Sequence, residues 1–329
     1  MPKQKLVTIY GGSGFVGRYV AQRMAQEGWR VRVATRRPND AIWVRPYGVV
    51  GQVEPVFCNI RDDASVREVM TGADAVVNCV GVLAERGKNT FEATQAQGAE
   101  RVARLATELG VPTLTQISAI GADADSASSY ARTKARGEEA VLAAYPNAVI
   151  LRPSIIFGPE DQFFNRFAGM AKMGPLLPVI GAGTRFQPVY VDDVARAVVM
   201  GVLGQAKPGI YELGGPDVST FRELMRYMLT VIRRRALIVN VPFWAASIMG
   251  RSFDLVQRAS FDMIDAPVTR DQVANLRNDN VVSGKTMTFE DLGIETTSLE
   301  AVVPDYLWRF RPSGQYSEIK KSAQDLRES

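Results

Sequence analysis

Proton-transfer chemistry in this sequence must run without histidine. The 329 residues contain no His and only two cysteines, Cys58 and Cys79. That excludes Ser-His-Asp and Cys-His nucleophile systems, removes the main nitrogen ligand of zinc and iron sites, and leaves too few thiols for a four-cysteine zinc site. No metal centre is expected. Acid-base work falls to Tyr, Lys, Asp or Glu, and the pair whose spacing suits it is Tyr130 and Lys134, in Tyr130-Ala-Arg-Thr-Lys134 at the opening of a predicted helix. Residues four apart share a helix face. An ammonium beside a phenol favours the phenolate and lowers a pKa that starts near ~10, which makes a tyrosine usable near neutral pH. The spacing alone arises readily by chance; its place after a predicted fifth strand and Ser118 marks it as a cofactor-site pair. Asp192–Asp193 is a second acidic candidate. It reads as a helix start whose carboxylates suit the N-terminal dipole, and as a cap rather than a catalytic dyad.

Binding chemistry is concentrated in Leu6 to Arg18, LVTIYGGSGFVGR. An apolar β-prone run breaks into Gly11, Gly12, Ser13, Gly14, Phe15, Val16 and Gly17, and a helical pattern follows from Arg18 through Ala25. Strand, glycine turn and helix in that order form an anion site, because the helix N-terminus presents unpaired N–H groups to a phosphate. Gly12, Gly14 and Gly17 fit G-x-G-x-x-G, while Gly11, Gly14 and Gly17 fit G-x-x-G-x-x-G; both are dinucleotide-binding spacings. At the end of a second strand, Arg30 to Thr35, an NAD-selective site carries Asp or Glu for the ribose 2′-hydroxyl. Here Arg36 and Arg37 stand there. They would pair a 2′-phosphate, with Arg18 as further support, so NADPH is the expected cofactor; the plainer reading is a solvated turn before Pro38.

The elements that must position these residues follow at regular spacing. Strands are predicted over Val53 to Cys58, Ala75 to Cys79, Thr113 to Ser118 and Ala148 to Arg152, and helices over Ala64 to Met70, Thr90 to Leu109 and Ser126 to Tyr145. This alternation predicts right-handed βαβ crossovers, hence an α/β fold with a Rossmann-type, doubly wound parallel sheet. Residues just past the strands join the expected cofactor site: Asn59 and Ile60, Val80 and Gly81, Ser118, Pro153 and Ile156. Residues 1–158 form the nucleotide-binding domain, with about 187–215 returning to it; 159–307 form a smaller mixed C-terminal lobe, and 308–329 an extended tail. In the lobe, Thr220 to Arg233 is an amphipathic helix with Ser219 or Thr220 as N-cap. Ala236 to Val241 and Pro242 to Met249 are strongly apolar and flanked by Arg233 to Arg235 and Arg251. They read as a buried strand and core-facing helix, or as an interface or membrane-surface element.

Composition is that of an ordinary globular protein, 46% apolar and 22% charged. A net charge of +4 from 39 cationic and 35 anionic side chains implies no nucleic-acid partner. No run is long enough to span a bilayer. Lys3 and Lys5 lead straight into the first strand without a signal-peptide pattern, so a cytoplasmic-side protein is expected, with its two cysteines as buried free thiols in a reducing compartment.

The glycine loop, Tyr130/Lys134, LRPSIIFGP from Leu151 and PVYVDDVA from Pro188 together resemble the extended or atypical short-chain dehydrogenase/reductase superfamily. Within it, YGGSGFVGR, SYARTKARGEEAV from Ser129, GAGTRFQPVYVDDVA from Gly181 and FEDLGI at Phe289 to Ile294 resemble the nucleotide-binding accessory subunits of respiratory complex I, NADH:ubiquinone oxidoreductase. In active relatives a Ser or Thr beside the Tyr and Lys holds the substrate oxygen. Aligned on the fifth strand, Ser118 is the structural serine and the catalytic hydroxyl position is Ala119. The resemblance therefore implies Tyr130 and Lys134 kept as vestigial or cofactor-positioning residues, a tightly held NADPH in a structural role, and other complex I subunits as partners in respiratory electron transport. Such a protein is membrane-associated only through those partners, peripheral to the cytoplasmic side of the bacterial inner membrane. An active NADP-dependent reductase, dehydrogenase or epimerase with Tyr130 as acid/base, and an NADPH/NADP-sensing regulator, are the competing expectations.

Overall fold

The computed structural model describes residues 4–246, 269–312 and 314. The N-terminal half alternates strand and helix: β1 (Leu6–Tyr10), α1 (Phe15–Gln26), β2 (Arg30–Thr35), β3 (Val53–Phe57), α2 (Asp63–Met70), β4 (Ala75–Asn78), α3 (Gln97–Glu108), β5 (Leu114–Ile117), α4 (Ser129–Ala144) and β6 (Val149–Pro153). After it come β7 (Ile156–Phe157), α5 (Phe164–Met173), β8 (Leu176–Ile180), β9 (Arg185–Phe186), β10 (Val189–Tyr190), α6 (Val191–Val202), β11 (Gly209–Leu213), β12 (Ser219–Thr220), α7 (Phe221–Val231) and β13 (Leu237–Val241). Two short α-helices, Arg270–Asn275 and Leu299–Leu307, follow later in the chain.

Seven strands form one sheet in the order β11-β6-β5-β4-β1-β2-β3, every neighbouring pair parallel. This is the Rossmann-type, doubly wound arrangement. A sheet of this kind is covered on both faces, so its central strands read as continuous apolar runs, and β1, β4 and β5 are buried at every position. Alternate residues feed opposite faces. Val7 and Ile9 pack with Val20 and Met24 of α1 and Val194 and Val198 of α6. Tyr10 lies on the other face with Val66 of α2, Val102 and Leu105 of α3, and Val141 of α4. The smaller C-terminal lobe has its own core, in which Phe164, Leu177, Phe186, Phe221, Met225 and Leu307 meet.

Several sequence expectations shift. The first helix begins at Phe15 rather than Arg18, because Gly14, in extended backbone, is already its N-cap. The helix expected over Thr90 to Leu109 opens as a widened π turn at Glu92–Ala96. A Cβ on Gly137 of α4 would lie 2.5 Å from the Gln95 carbonyl oxygen, so α4 presses directly on this turn. Thr220 caps α7 in a reciprocal capping box with Glu223, as its sequence suggests.

Asp192 and Asp193 lie in the first turn of α6, but no side chain caps that helix. The expectation of a cap is corrected. Asp192 forms a bidentate ion pair with Arg23 of α1, and Asp193 accepts hydrogen bonds from the Thr297 N–H at 2.7 Å and its hydroxyl at 3.2 Å. Both are braces between elements.

The buried-strand reading of Ala236 to Val241 is also corrected. Among the described residues β13 pairs only with β8, and its pleat turns alternate residues outward, leaving Leu237 66% exposed. Trp244, just beyond, is 70% exposed. Residues 243–246 are helical, and the remainder of that apolar run, with Arg251, lies outside the described residues. Of the expected extended tail, Trp308–Phe310 instead forms a 3-10 turn continuing Leu299–Leu307; residues 315–329 lie outside the described set.

Candidate functional site

A parallel sheet brings the carboxyl ends of its strands to one edge, so the loops that follow β1 to β6 meet there. Gly11 has φ +72°, and its N–H donates to Ala34 O of β2 at 3.1 Å. A Cβ on Gly11 would lie 3.1 Å from the Cys79 carbonyl carbon at the end of β4. Gly17 is tighter: its Cβ would fall 2.3 Å from Gly11 O and 2.7 Å from Gly12 Cα. The glycine loop is thus folded flat between β1 and the start of α1, and only hydrogen at these positions permits the approach. No side chain caps α1, so its first-turn N–H groups have no side-chain acceptor at the N-cap. The Ser13 hydroxyl donates to Thr35 Oγ1 at 3.1 Å, joining the loop to the end of β2. Phe15 stacks edge-on against Tyr19 and faces Gly158, while Val16 packs on the core beneath.

Arg36 and Arg37 are exposed at the end of β2, with Arg37 3.7 Å from Asp40. Arg18 does not join them in an open cluster. Its guanidinium lies over the Trp43 ring, 4.4 Å from the centroid, and 3.4 Å from Glu160. The Asn59 side chain accepts from the Arg61 N–H at 3.2 Å and shapes the turn after β3. Ile60 is buried against Gly98 of α3, so its side chain belongs to the core and only its backbone lies at the edge.

Lys134 is buried, and its Nζ donates to Ile117 O at the end of β5 at 3.3 Å. A Cβ on Gly81 would stand 3.5 Å from that Nζ. Lys134 therefore faces the loop after β4, where Val80 is held by its N–H to Asn78 Oδ1 at 3.1 Å. Burial pushes the ammonium down to about 8. Tyr130 shares its helix face as the spacing requires, with Nζ 6.0 Å from the ring centroid. The expected lowering of its pKa does not occur. Burial first, then the Asp271 carboxylate, push the phenol up to about 12. Desolvating the phenolate beside an anion outweighs an ammonium at this range.

Ser118 is buried and donates its hydroxyl to Glu138, which is in turn gripped by Arg152. Arg152 also lies 3.7 Å from Glu212, whose carboxylate accepts from the Ser283 N–H at 2.6 Å. This hydroxyl is a structural tie between β5, α4 and β6. Ala119, the next residue, supplies none. Pro153 ends β6, and Ile156 pairs with Val189 across β7 and β10.

Sequence reasoning missed the Glu138–Arg152–Glu212 cluster and two residues of the second lobe, Asp271 and Asn280. Asp271 accepts hydrogen bonds from the Ser128 hydroxyl and the Ser129 and Tyr130 N–H groups. Asn280 accepts from the Ser154 hydroxyl at 2.7 Å and the Ile155 N–H at 2.9 Å. Thr269-x-x-Gln272 is a capping-box pattern that marks a helix start. Nothing local reveals that the Asp inside it reaches α4.

The geometry agrees with what the chain is similar to. The family model for the "NAD dependent epimerase/dehydratase family" matches residues 7–214. The mitochondrial NADH dehydrogenase (ubiquinone) 1 alpha subcomplex subunit 9 of Arabidopsis thaliana is 36% identical over 94% of this chain and 79% of its own length. The ceramide reductase of Caulobacter vibrioides is 30% identical over 72% of this chain and 74% of its own. In fold, the Bordetella bronchiseptica enzyme WbmH in complex with NAD+ superposes with a TM-score of 0.70 at 21% identity, covering 94% of this chain and 99% of that one. The obligate glycines at the edge of a seven-stranded parallel sheet, the Tyr130/Lys134 face of α4 and a family match across most of the sheet make this chain a member of the NAD dependent epimerase/dehydratase family, the extended branch of the short-chain dehydrogenases/reductases.

Proposed function

We propose that this chain is an accessory subunit of respiratory NADH:ubiquinone oxidoreductase that holds NADP(H) without turning it over, peripheral to the cytoplasmic side of the bacterial inner membrane. What supports the reading is a glycine loop suited to a nucleotide beside an incomplete proton relay. Gly11 to Gly17 and the uncapped start of α1 suit a pyrophosphate. Arg36 and Arg37 suit a 2′-phosphate, and Lys134 against Gly81 suits the nicotinamide ribose. When bound, the nucleotide would supply hydride chemistry. The chain's own groups supply little to accompany it: position 119 has no hydroxyl, Ser118 is committed to Glu138, and the Tyr130 phenol is pushed away from neutrality.

The subunit role is supported by the 36% identical plant relative named as such a subunit, and by the surface of the second lobe. Met173, Leu176, Leu237, Val239 and Trp244 are exposed there; Leu237 pairs with Leu176 across β13 and β8, Met173 lies beside Lys172 and Arg233 to Arg235, and exposed apolar side chains of this kind suit docking onto other proteins. Among the described residues no helix is long and apolar enough to cross a membrane, consistent with attachment through partner subunits. Purification of the native protein from membranes tests this: it co-migrates with NADH:quinone reductase activity, and recovery solely as a free monomer refutes the proposal.

A second reading, an NADP-dependent reductase, is favoured by the retained Tyr130/Lys134 pair and the ceramide reductase relative. It predicts NADPH oxidation by the isolated chain with a carbonyl substrate, abolished by Tyr130→Phe. The accessory-subunit reading predicts none, and NADPH binding unchanged by that substitution.

A further inference from the structure

The start of α4 is secured from the far end of the chain. A 16-residue helix presents its dipole and several unpaired N–H groups at its first turn. Ser128 satisfies one of them, accepting from the Ala131 N–H at 3.3 Å. Asp271 takes the neighbours: one carboxylate oxygen accepts from the Ser129 N–H at 2.6 Å, and the other from the Ser128 hydroxyl at 2.8 Å and the Tyr130 N–H at 3.3 Å. Asp271 rides on the helix Arg270–Asn275, itself fixed by the Thr269/Gln272 capping box. Gln272 adds a bond from its amide to Leu83 O at 3.3 Å, in the loop after β4. Nine residues on from Asp271, Asn280 is pinned to Ser154 and Ile155 beyond β6 and donates to Ile120 O at 3.3 Å beyond β5.

Segment 269–282 is therefore a strap. It is tied to the start of α4, to the loop after β4 and to the chain beyond β5 and β6, the elements that surround Tyr130, Lys134 and Gly81. Tyr130 is hemmed in from the other side by Phe91, edge-on with centroids 5.8 Å apart. We propose that Asp271 is a latch that holds this strap across the nicotinamide end of the nucleotide groove, so that bound NADP(H) leaves only when the bonds from Asp271 to α4 open. The latch rests on the nucleotide-holding function proposed above. It adds the reason a retained nucleotide exchanges slowly and is shielded from carbonyl substrates: the chain's own second lobe covers the end where a substrate would enter. Asp271 acts through α4 and the strap, and is a positioning residue.

The test uses the full-length chain loaded with NADPH and chased with excess NADP, with release followed by nucleotide fluorescence. Asp271→Ala removes a charged acceptor of three hydrogen bonds and should speed release about tenfold or more, with Asp271→Asn intermediate. Tyr145→Phe, which removes a bond to Val111 O at the other end of α4 and has no hydrogen bond to the strap, serves as the control and should leave release unchanged. Release from Asp271→Ala at the wild-type rate overturns the latch and leaves the nucleotide function standing; failure of the wild-type chain to bind NADPH overturns both. Should the Asp271 variants not fold, hydrogen exchange on the wild-type chain decides. NADPH must slow exchange of the Ser129 and Tyr130 amides, and unchanged protection refutes the latch.

Discussion

Gly17→Ala puts the architecture of the glycine loop to its most direct test. The added Cβ would lie 2.3 Å from Gly11 O and 2.7 Å from Gly12 Cα, against an ordinary contact of 3.4 Å or more, so α1 and the loop must separate by about 1 Å. Neither side yields easily. Val20, Ala21 and Met24 of α1 are fully buried on the sheet, and Arg23 ties the helix to Asp192 of α6. Overpacking of this kind costs about 1–3 kcal/mol, and the backbone contact places it at the upper end. The better helix propensity of alanine returns about 1 kcal/mol, leaving a net destabilisation of about 2 kcal/mol. The effect on the nucleotide is larger, because a ~1 Å retreat stretches phosphate contacts of about 2.9 Å beyond hydrogen-bonding range. NADPH affinity should fall about 100-fold or more. Urea denaturation of the free protein and fluorescence titration with NADPH measure the two effects. Gly14→Ala is the internal control: its Cβ would stand 3.1 Å from Gly11 O, so only a slight adjustment is needed. A Gly17→Ala protein with an unchanged denaturation midpoint and wild-type NADPH affinity refutes the packing argument.

Other expected outcomes address electrostatics. Arg36→Ala with Arg37→Ala should weaken NADPH about tenfold or more while sparing NADH, with the difference shrinking in high salt; equal losses for both nucleotides would remove the 2′-phosphate assignment. Lys134→Met should stabilise the nucleotide-free protein by about 2–3 kcal/mol at pH 7, since the buried ammonium carries its desolvation cost there in full. Between about 8 and the ordinary lysine value of 10.5 only the unfolded chain keeps that proton. Wild-type stability therefore rises with pH through this window and the advantage of Lys134→Met disappears, as urea midpoints at pH 7 and 10 will show. Arg152→Met leaves Glu138 buried without its cation and should cost about 3–5 kcal/mol, whereas adding Glu138→Gln should recover part of the loss, a double-mutant cycle read by denaturation.

Much of the sheet could be read from the chain because its signals are local. β2 occupies Arg30–Thr35 as its alternation predicts, and the other predicted strands of the sheet lie within one or two residues of their places. Helix starts were harder where tertiary contact overrides propensity: α1 begins inside the glycine motif, and the π turn before α3 exists where α4 presses on Gln95. The same limit explains Ala236 to Val241, where apolar composition suggested burial, but a two-stranded sheet has room to cover only one face.

By itself the sequence determined the strand–glycine–helix cradle, the Arg36–Arg37 pair and the shared face of Tyr130 and Lys134, since each follows from a spacing of a few residues. The tertiary structure decided what those groups can do. The phenol is pushed to about 12 rather than lowered because folding buries it and delivers Asp271 from 141 residues away. Ser118 is silenced by Glu138 and Arg152, and Arg18 is drawn onto Trp43 and Glu160. Charge and solvation at a site sum over everything packed around it, and most of those neighbours are distant in sequence, so chemical competence is a property of the fold.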